Sequence, residues 1–373
     1  MNKLGFYTAN FGVQEVIQAI KDVQPPVMVS EVKFKDAQRD LRRDWSPDTF
    51  VVGRPYVFTP HRQDQILDSD NPAEQGARLA DRLLHEFPIA TEKIDGKPVI
   101  NAWMALNESV RGPNSFPPDY DHNAPDYQEM IRRAAAYDAF EEAFQNRMVA
   151  HGSQAVAFNF GAGNWVTGED FLKHFPQTLA SHKYLGFHEY GWPNLSPDEP
   201  DTSSACGLYR GVMAEICARF GAQHQVIITE AGLARMYKDA RVHPEDNRSH
   251  KSADVGWLYP WDSVSEDSYK RSLRWYNECL LDDDYVLGAC LFQVGTGPGW
   301  DTFRHTGVDN DGRPIKLLDV LVEMSLEPAP EPSVAAVLPQ PPAPPPPTER
   351  TLVETLRFAG EPLVFPIKRN GKL

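Results

Sequence analysis

Two short stretches of the chain each end by presenting a carboxylate. "NAWMALNES" (101–109) delivers Asn107 and Glu108, and "VIITEAGLA" (226–234) delivers Glu230. Between them, "GFHEYGWP" (186–193) carries His188 and Tyr190 two residues apart, on one face of any extended segment. Two carboxyl groups facing each other across a cleft can open an acetal. One attacks the anomeric carbon as an anion, and the other is held protonated and protonates the departing oxygen. A separation of about 5–5.5 Å permits double displacement, whereas roughly 6.5–9.5 Å admits a water and inverts. Asn107 is placed to hydrogen-bond a sugar 2-hydroxyl, and the Tyr190 hydroxyl to hold a carboxylate. Taken singly, a Glu after a strand also reads as a helix cap or an ion-pair partner. The chemistry therefore depends on what brings Glu108 and Glu230, 122 residues apart, to one place.

Eight short apolar runs can do this: 4–9, 26–32, 51–58, 99–106, 155–160, 184–190, 226–230 and 286–294. Stretches with apolar residues at three- and four-residue spacing separate them, at 13–23, 74–87, 127–152, 169–181, 208–221, 267–283 and 315–324. The connection 33–50 is too charged to assign. Near-continuous apolar strands alternating with helices predict a parallel sheet buried on both faces. Eight right-handed crossovers close most naturally into a (β/α)8 barrel. A doubly wound open sheet is the alternative, but no GxGxxG follows the first strand. In a barrel every strand's C-terminal end faces one rim, so the ends of strands four, six and seven converge there.

"LNES" closing strand four, "HEY" followed by "WP" at strand six, and "ITEAG" at strand seven together resemble the clan of retaining (β/α)8 glycoside hydrolases, which includes cellulases, mannanases and β-galactosidases. The resemblance implies that Glu108 is the acid/base and Glu230 the nucleophile, with His188 and Tyr190 matching a His-x-Tyr of several members. "GVDNDGRPIK" (307–316) is similar to the turn that often precedes their last helix. The sequence departs from the pattern after strand eight. Many members carry a Trp there and this chain has "LFQVGTGPGW", leaving Phe292, Gln293 or Trp300 to substitute. Pyranose faces stack on aromatic rings. Of Trp103, Trp165, Trp192, Trp257, Trp261 and Trp300, the expected cleft residues are Trp192 and Trp300, and Trp103 is expected in the core. Arg54 is expected either on the nucleophile or in a structural ion pair, and His188 either on a sugar or in a structural hydrogen bond. Glu189 should face the helix layer.

The remainder of the sequence sets limits. A net charge of −15 without a basic cluster argues against a nucleic-acid partner. No apolar run approaches bilayer length, and no signal peptide is visible, which suits a cytoplasmic protein or a mature secreted form. The four cysteines form no CxxC pair and are expected as free thiols. No metal or organic cofactor is expected. His243, Glu245, Asp246 and His250 in the long segment after strand seven match no ligand spacing, and "DNDG" (309–312) reads as a turn. The expected organisation is a barrel over 1–326, a Pro-rich linker over 327–347 with ten prolines in 21 residues, and a tail over 348–373 that either docks or begins a further module. The function expected is retaining hydrolysis of β-glycosidic bonds in an oligo- or polysaccharide. The alternative is an inactive barrel that binds glycan or a cell-wall polymer.

Overall fold

The computed structural model describes residues 1–32, 35–55, 60–236, 254–259, 263–295 and 300–327. The linker, the tail, Trp261, the segment holding His243 to His250 and residues 296–299 lie outside these.

Eight strands form a closed parallel barrel: β1 (Leu4–Thr8), β2 (Val27–Glu31), β3 (Phe50–Arg54), β4 (Ala102–Met104), β5 (Ala155–Phe160), β6 (Tyr184–Trp192), β7 (Gln225–Met236) and β8 (Val286–Leu291). Each pairs in parallel with the next, and β8 pairs with β1 to close the ring. Period-two alternation explains why the runs read as apolar throughout. Val27, Val29, Val52, Ala102, Met104, Val156 and Ile227 fill the barrel interior. Met28, Val51, Trp103, Ala155, Ala157 and Ile228 pack outward against the helices.

The helices are α1 (Gln14–Val23), α2 (Lys35–Asp40), α3 (Pro60–Leu67), α4 (Pro72–Glu86), α5 (Pro125–Ala150), α6 (Gly168–His174), α7 (Pro176–Ser181), α8 (Leu208–Phe220), α9 (Glu266–Leu281) and α10 (Asp319–Leu326). Pro176 splits the expected helix 169–181 into α6 and α7, because proline cannot donate the hydrogen bond that would continue it. The unassigned stretch 33–50 holds α2 and a π turn (Leu41–Trp45). Helix α3 is not anticipated by periodicity. Strand β7 is longer than its apolar run: it continues past Glu230 to Met236 and pairs antiparallel with Asp254–Gly256. All four cysteines are free. Asp309 Oδ1 accepts from the Asp311 and Arg313 amides, so 309–312 is a turn.

Candidate active site

The rim gathers the two glutamates. Strict alternation from Ile227, which points inward, would send Glu230 out into the helix layer. An extra residue in β7, between Ile228 and Glu230, shifts the register against β6 and sets Glu230 beside His188. One residue of slip reverses which face a side chain takes, and here it delivers the carboxylate inward. Glu230 Oε1 accepts from Arg54 Nη1 at 2.9 Å, and its Oε2 accepts from the Tyr190 hydroxyl at 3.0 Å. Arg54 ends β3, and Tyr190 shares the inner face of β6 with His188.

Glu108 follows β4 in the left-handed region, at φ +50°, which is costly for a residue with a Cβ. Its amide donates to the Asn159 carbonyl at 2.9 Å, and its Oε1 lies 2.9 Å from His188 Nδ1. The same Nδ1 is 3.7 Å from Glu230 Oε2. One oxygen of each carboxylate and this ring nitrogen all lie within 4.8 Å of one another. The two carboxylates differ in solvent access, with side-chain exposure of 49% for Glu108 and 8% for Glu230.

The electrostatics follow from these contacts. Burial works against the Arg54 cation, but Tyr7, Glu230, Glu31 and Glu108 outweigh it and raise its pKa further. Burial, then the charges of Glu230 and Glu108, push the Tyr190 phenol well above its ordinary value, so it remains a donor. Burial disfavours the His188 cation, yet the Glu230 charge and the Glu108 hydrogen bond and charge prevail and raise its pKa. Desolvation pushes the Glu108 carboxyl up, and the His188 hydrogen bond and charge with Arg54 overcome it, leaving Glu108 below the usual glutamate value. In the resting site the shared proton therefore sits on the imidazole.

Asn107 is fixed by its backbone: its amide donates to Gln63 Oε1 at 2.6 Å and its carbonyl accepts from Gln63 Nε2 at 3.0 Å. Asn107 Oδ1, His188 Nε2 and Gln293 Nε2 are buried without a hydrogen-bond partner among the described residues. Gln293 follows β8 and is 1% exposed. Trp300 is 36% exposed and meets Phe292 edge-on at 5.2 Å, while Phe292 packs on Tyr7 at 4.9 Å, so a row of rings leads toward Arg54. Trp192 is 9% exposed, just beyond Tyr190 on β6. Trp103 is core, as expected. Trp165 and Trp257 are core residues as well. Trp165 packs among Phe160, Phe171 and Phe175, and Trp257 packs on Tyr269 while its ring N–H donates to the Arg304 carbonyl. Glu189 faces the helix layer, where it accepts from the Gly207 amide and the Tyr276 hydroxyl; burial raises its carboxyl to about 7.

Sequence reasoning passed over three residues here. The Tyr7 hydroxyl contacts Arg54 and donates to Glu31 at 3.4 Å. Glu31 ends β2 just as a charge ends strands four and seven, so the same signal would have found it. Gln63 lies on the unanticipated helix α3. Among the described residues, Glu108, His188 and Glu230 are the one set of His, Cys, Asp and Glu groups close enough to hold a cation. Arg54 already supplies positive charge to Glu230, and His188 to Glu108. A hydrogen bond to a charged group contributes about 1.5–3 kcal/mol, and the Tyr190 hydroxyl makes one to the Glu230 carboxylate.

No family model and no curated protein matches this chain. Solved structures similar to this chain include glycoside hydrolases. One is a GH2 β-galacturonidase from Eisenbergiella tayi, 14% identical with a TM-score of 0.49, matching over 88% of this chain and 52% of that one. This chain thus spans about half the length of that enzyme. A GH128 endo-β-1,3-glucanase from Sorangium cellulosum is 15% identical with a TM-score of 0.46, over 89% of this chain and all of its own. Another, from Amycolatopsis mediterranei in complex with laminaritriose and laminaribiose, is 13% identical with a TM-score of 0.42, over 86% and 98%. Likeness at this level says nothing of the substrate of this chain.

Proposed function

We propose that the barrel is a retaining glycoside hydrolase that cleaves β-glycosidic bonds of an oligo- or polysaccharide, with Glu230 as nucleophile and Glu108 as acid/base. The observation that carries the reading is that one oxygen of each carboxylate lies within 4.8 Å of the other, in keeping with the short carboxyl separation of double displacement rather than the roughly 6.5–9.5 Å of inverting enzymes. Arg54 and Tyr190 each donate to Glu230, an arrangement that suits an attacking anion and holds it on the anomeric carbon.

Glu230 forms the bond to the anomeric carbon as the glycosidic C–O bond breaks, and Glu108 protonates the departing oxygen. Water then enters, Glu108 takes its proton, and the ester to Glu230 is released with the anomeric configuration restored. A sugar filling the mouth removes water from the half-exposed Glu108 carboxylate, which disfavours its anion. The proton on His188 Nδ1 can then pass along the 2.9 Å bond to Glu108. Asn107 Oδ1 and Gln293 Nε2, buried and without partners among the described residues, are suited to sugar hydroxyls. The ring row at Trp300 offers a stacking face. The carbohydrate is the only partner this reading requires.

The Glu108–His188 pair makes the pH dependence specific. The pair carries one proton between the lowered pKa of Glu108 and the raised pKa of His188. As pH rises through the His188 value the acid's proton is lost, so the alkaline limb of kcat/KM should lie above about 6.5. In His188→Gln the limb should move to lower pH, because it then reports Glu108 alone. An alkaline limb unchanged by that substitution contradicts the shared proton. Hydrolysis is tested on a panel of β-glucans, mannans, galactans and aryl β-glycosides, with NMR of the first-formed anomer, which should be β. An inactive glycan-binding barrel is the second reading, favoured by the low resting pKa of Glu108. Saturable binding without turnover on the whole panel would decide for it.

A further inference from the structure

Strands β5 and β7, on either side of β6, are each interrupted by one extra residue at the same level of the barrel. In β5, Phe158 and Phe160 pair with Gly186 and Phe187, leaving Asn159 as the extra residue. In β7, Ile228 and Glu230 pair with Phe187 and His188, leaving Thr229. Asn159 and Thr229 are both completely buried. Phe158 and Asn159 lie at φ +75° and +54°, a conformation that costs a residue with a Cβ about 1–3 kcal/mol unless its surroundings enforce it.

Asn159 is tied in three directions. Its carbonyl accepts from the Glu108 amide at 2.9 Å, its Oδ1 accepts from the Thr229 hydroxyl at 2.8 Å, and its Nδ2 donates to the Val156 carbonyl at 3.0 Å. The bond to Thr229 runs from β5 to β7 across the intervening strand, and Gly186 leaves the room for it. A Cβ on Gly186 would lie 2.1 Å from Asn159 Oδ1, inside any permitted contact. One residue thus connects the backbone of Glu108, through its carbonyl, with the residue immediately before Glu230, through its side chain.

We propose that the Asn159–Thr229 hydrogen bond, passing over Gly186, is a brace that sets the separation of the Glu108 and Glu230 carboxyl groups. Asn159 and Thr229 are positioning residues that act through the two glutamates, and the kinetic consequence rests on the hydrolase reading above. A misplacement of about 1 Å in a reacting constellation costs roughly 10²-fold in rate.

The test compares Thr229→Val, which keeps the shape and removes the hydroxyl, with Thr229→Ser, which keeps the hydroxyl, and with Asn159→Ala. The crystal structure of Thr229→Val should show the nearest Glu108 and Glu230 oxygens about 1 Å farther apart than in the wild type. On the aryl β-glycoside that the wild type hydrolyses fastest, kcat should fall about 30- to 100-fold with KM changed less than about threefold. Thr229→Ser should remain within about threefold of the wild type in kcat. Thr229→Val combined with Asn159→Ala should be no slower than Asn159→Ala alone, because both act through one bond. An unchanged carboxyl separation in Thr229→Val, or rate losses that multiply in the double variant, overturns the brace. If Glu230→Ala is as active as the wild type, the hydrolase reading has failed, and the separation measured in the crystals still decides the brace. Should Thr229→Val not fold, the crystal structure of Asn159→Ala carries the same measurement.

Discussion

Glu230→Ala is expected to lower kcat by about 10⁴-fold or more while the barrel remains folded. Removing an attacking group eliminates a covalent step that no neighbour can replace, and comparable deletions of nucleophiles cost on this scale. The fold should survive, since Glu230 lies at the rim and the strand is anchored below it by Val226, Ile227 and Ile228, all fully buried. Arg54 would lose its close carboxylate partner but keep its contact with Tyr7 and the field of Glu31 and Glu108. Sodium azide should restore turnover of an activated β-glycoside and yield the α-glycosyl azide. The small anion occupies the space of the lost carboxylate and attacks the same face. Wild-type activity in this variant, or rescue yielding the β-azide, would remove Glu230 from the role of nucleophile.

Glu108→Ala should have an effect that depends on the leaving group. General acid catalysis contributes about 10²–10⁴-fold, and it is needed most when the departing oxygen is a poor leaving group. For a natural glycan the loss should reach that range. For a dinitrophenyl glycoside the first step needs little protonation, so the glycosyl-enzyme should accumulate as a burst and its hydrolysis become limiting. Azide should here give the β-azide, because it attacks the intermediate from the face that water normally uses. The alkaline limb of the pH profile should also vanish, since His188 then has no acid to share its proton with. Equal losses on both substrates would mean that Glu108 acts by binding rather than by proton transfer.

Much of this arrangement can be read in the chain, and particular residues mark where reading stops. The strands were legible because parallel strands covered on both faces are apolar at nearly every position, as Val27, Met28 and Val29 illustrate. The inward pair His188 and Tyr190, and outward Glu189 between them, follow from alternation alone. Glu230 does not: alternation from Ile227 points it to the wrong layer, and only the extra residue Thr229 turns it inward. No residue type announces such a slip. Asn159 has the same character, a left-handed asparagine in a strand whose value lies in partners distant in sequence. Glu31 was readable and passed over. Trp165 and Trp257 fall near strand ends, yet nearby aromatic side chains bury them. Loop positions do not predict such packing.

Mass spectrometry after incubation with an activated 2-deoxy-2-fluoro-β-glycoside reads the nucleophile itself, because the fluorine slows release of the ester more than its formation. One added fluoroglycosyl group per chain is expected, located on the peptide containing Glu230 and absent from Glu230→Ala. A label on Glu108, or turnover of the same sugar series with no covalent label at all, would contradict Glu230 as the nucleophile.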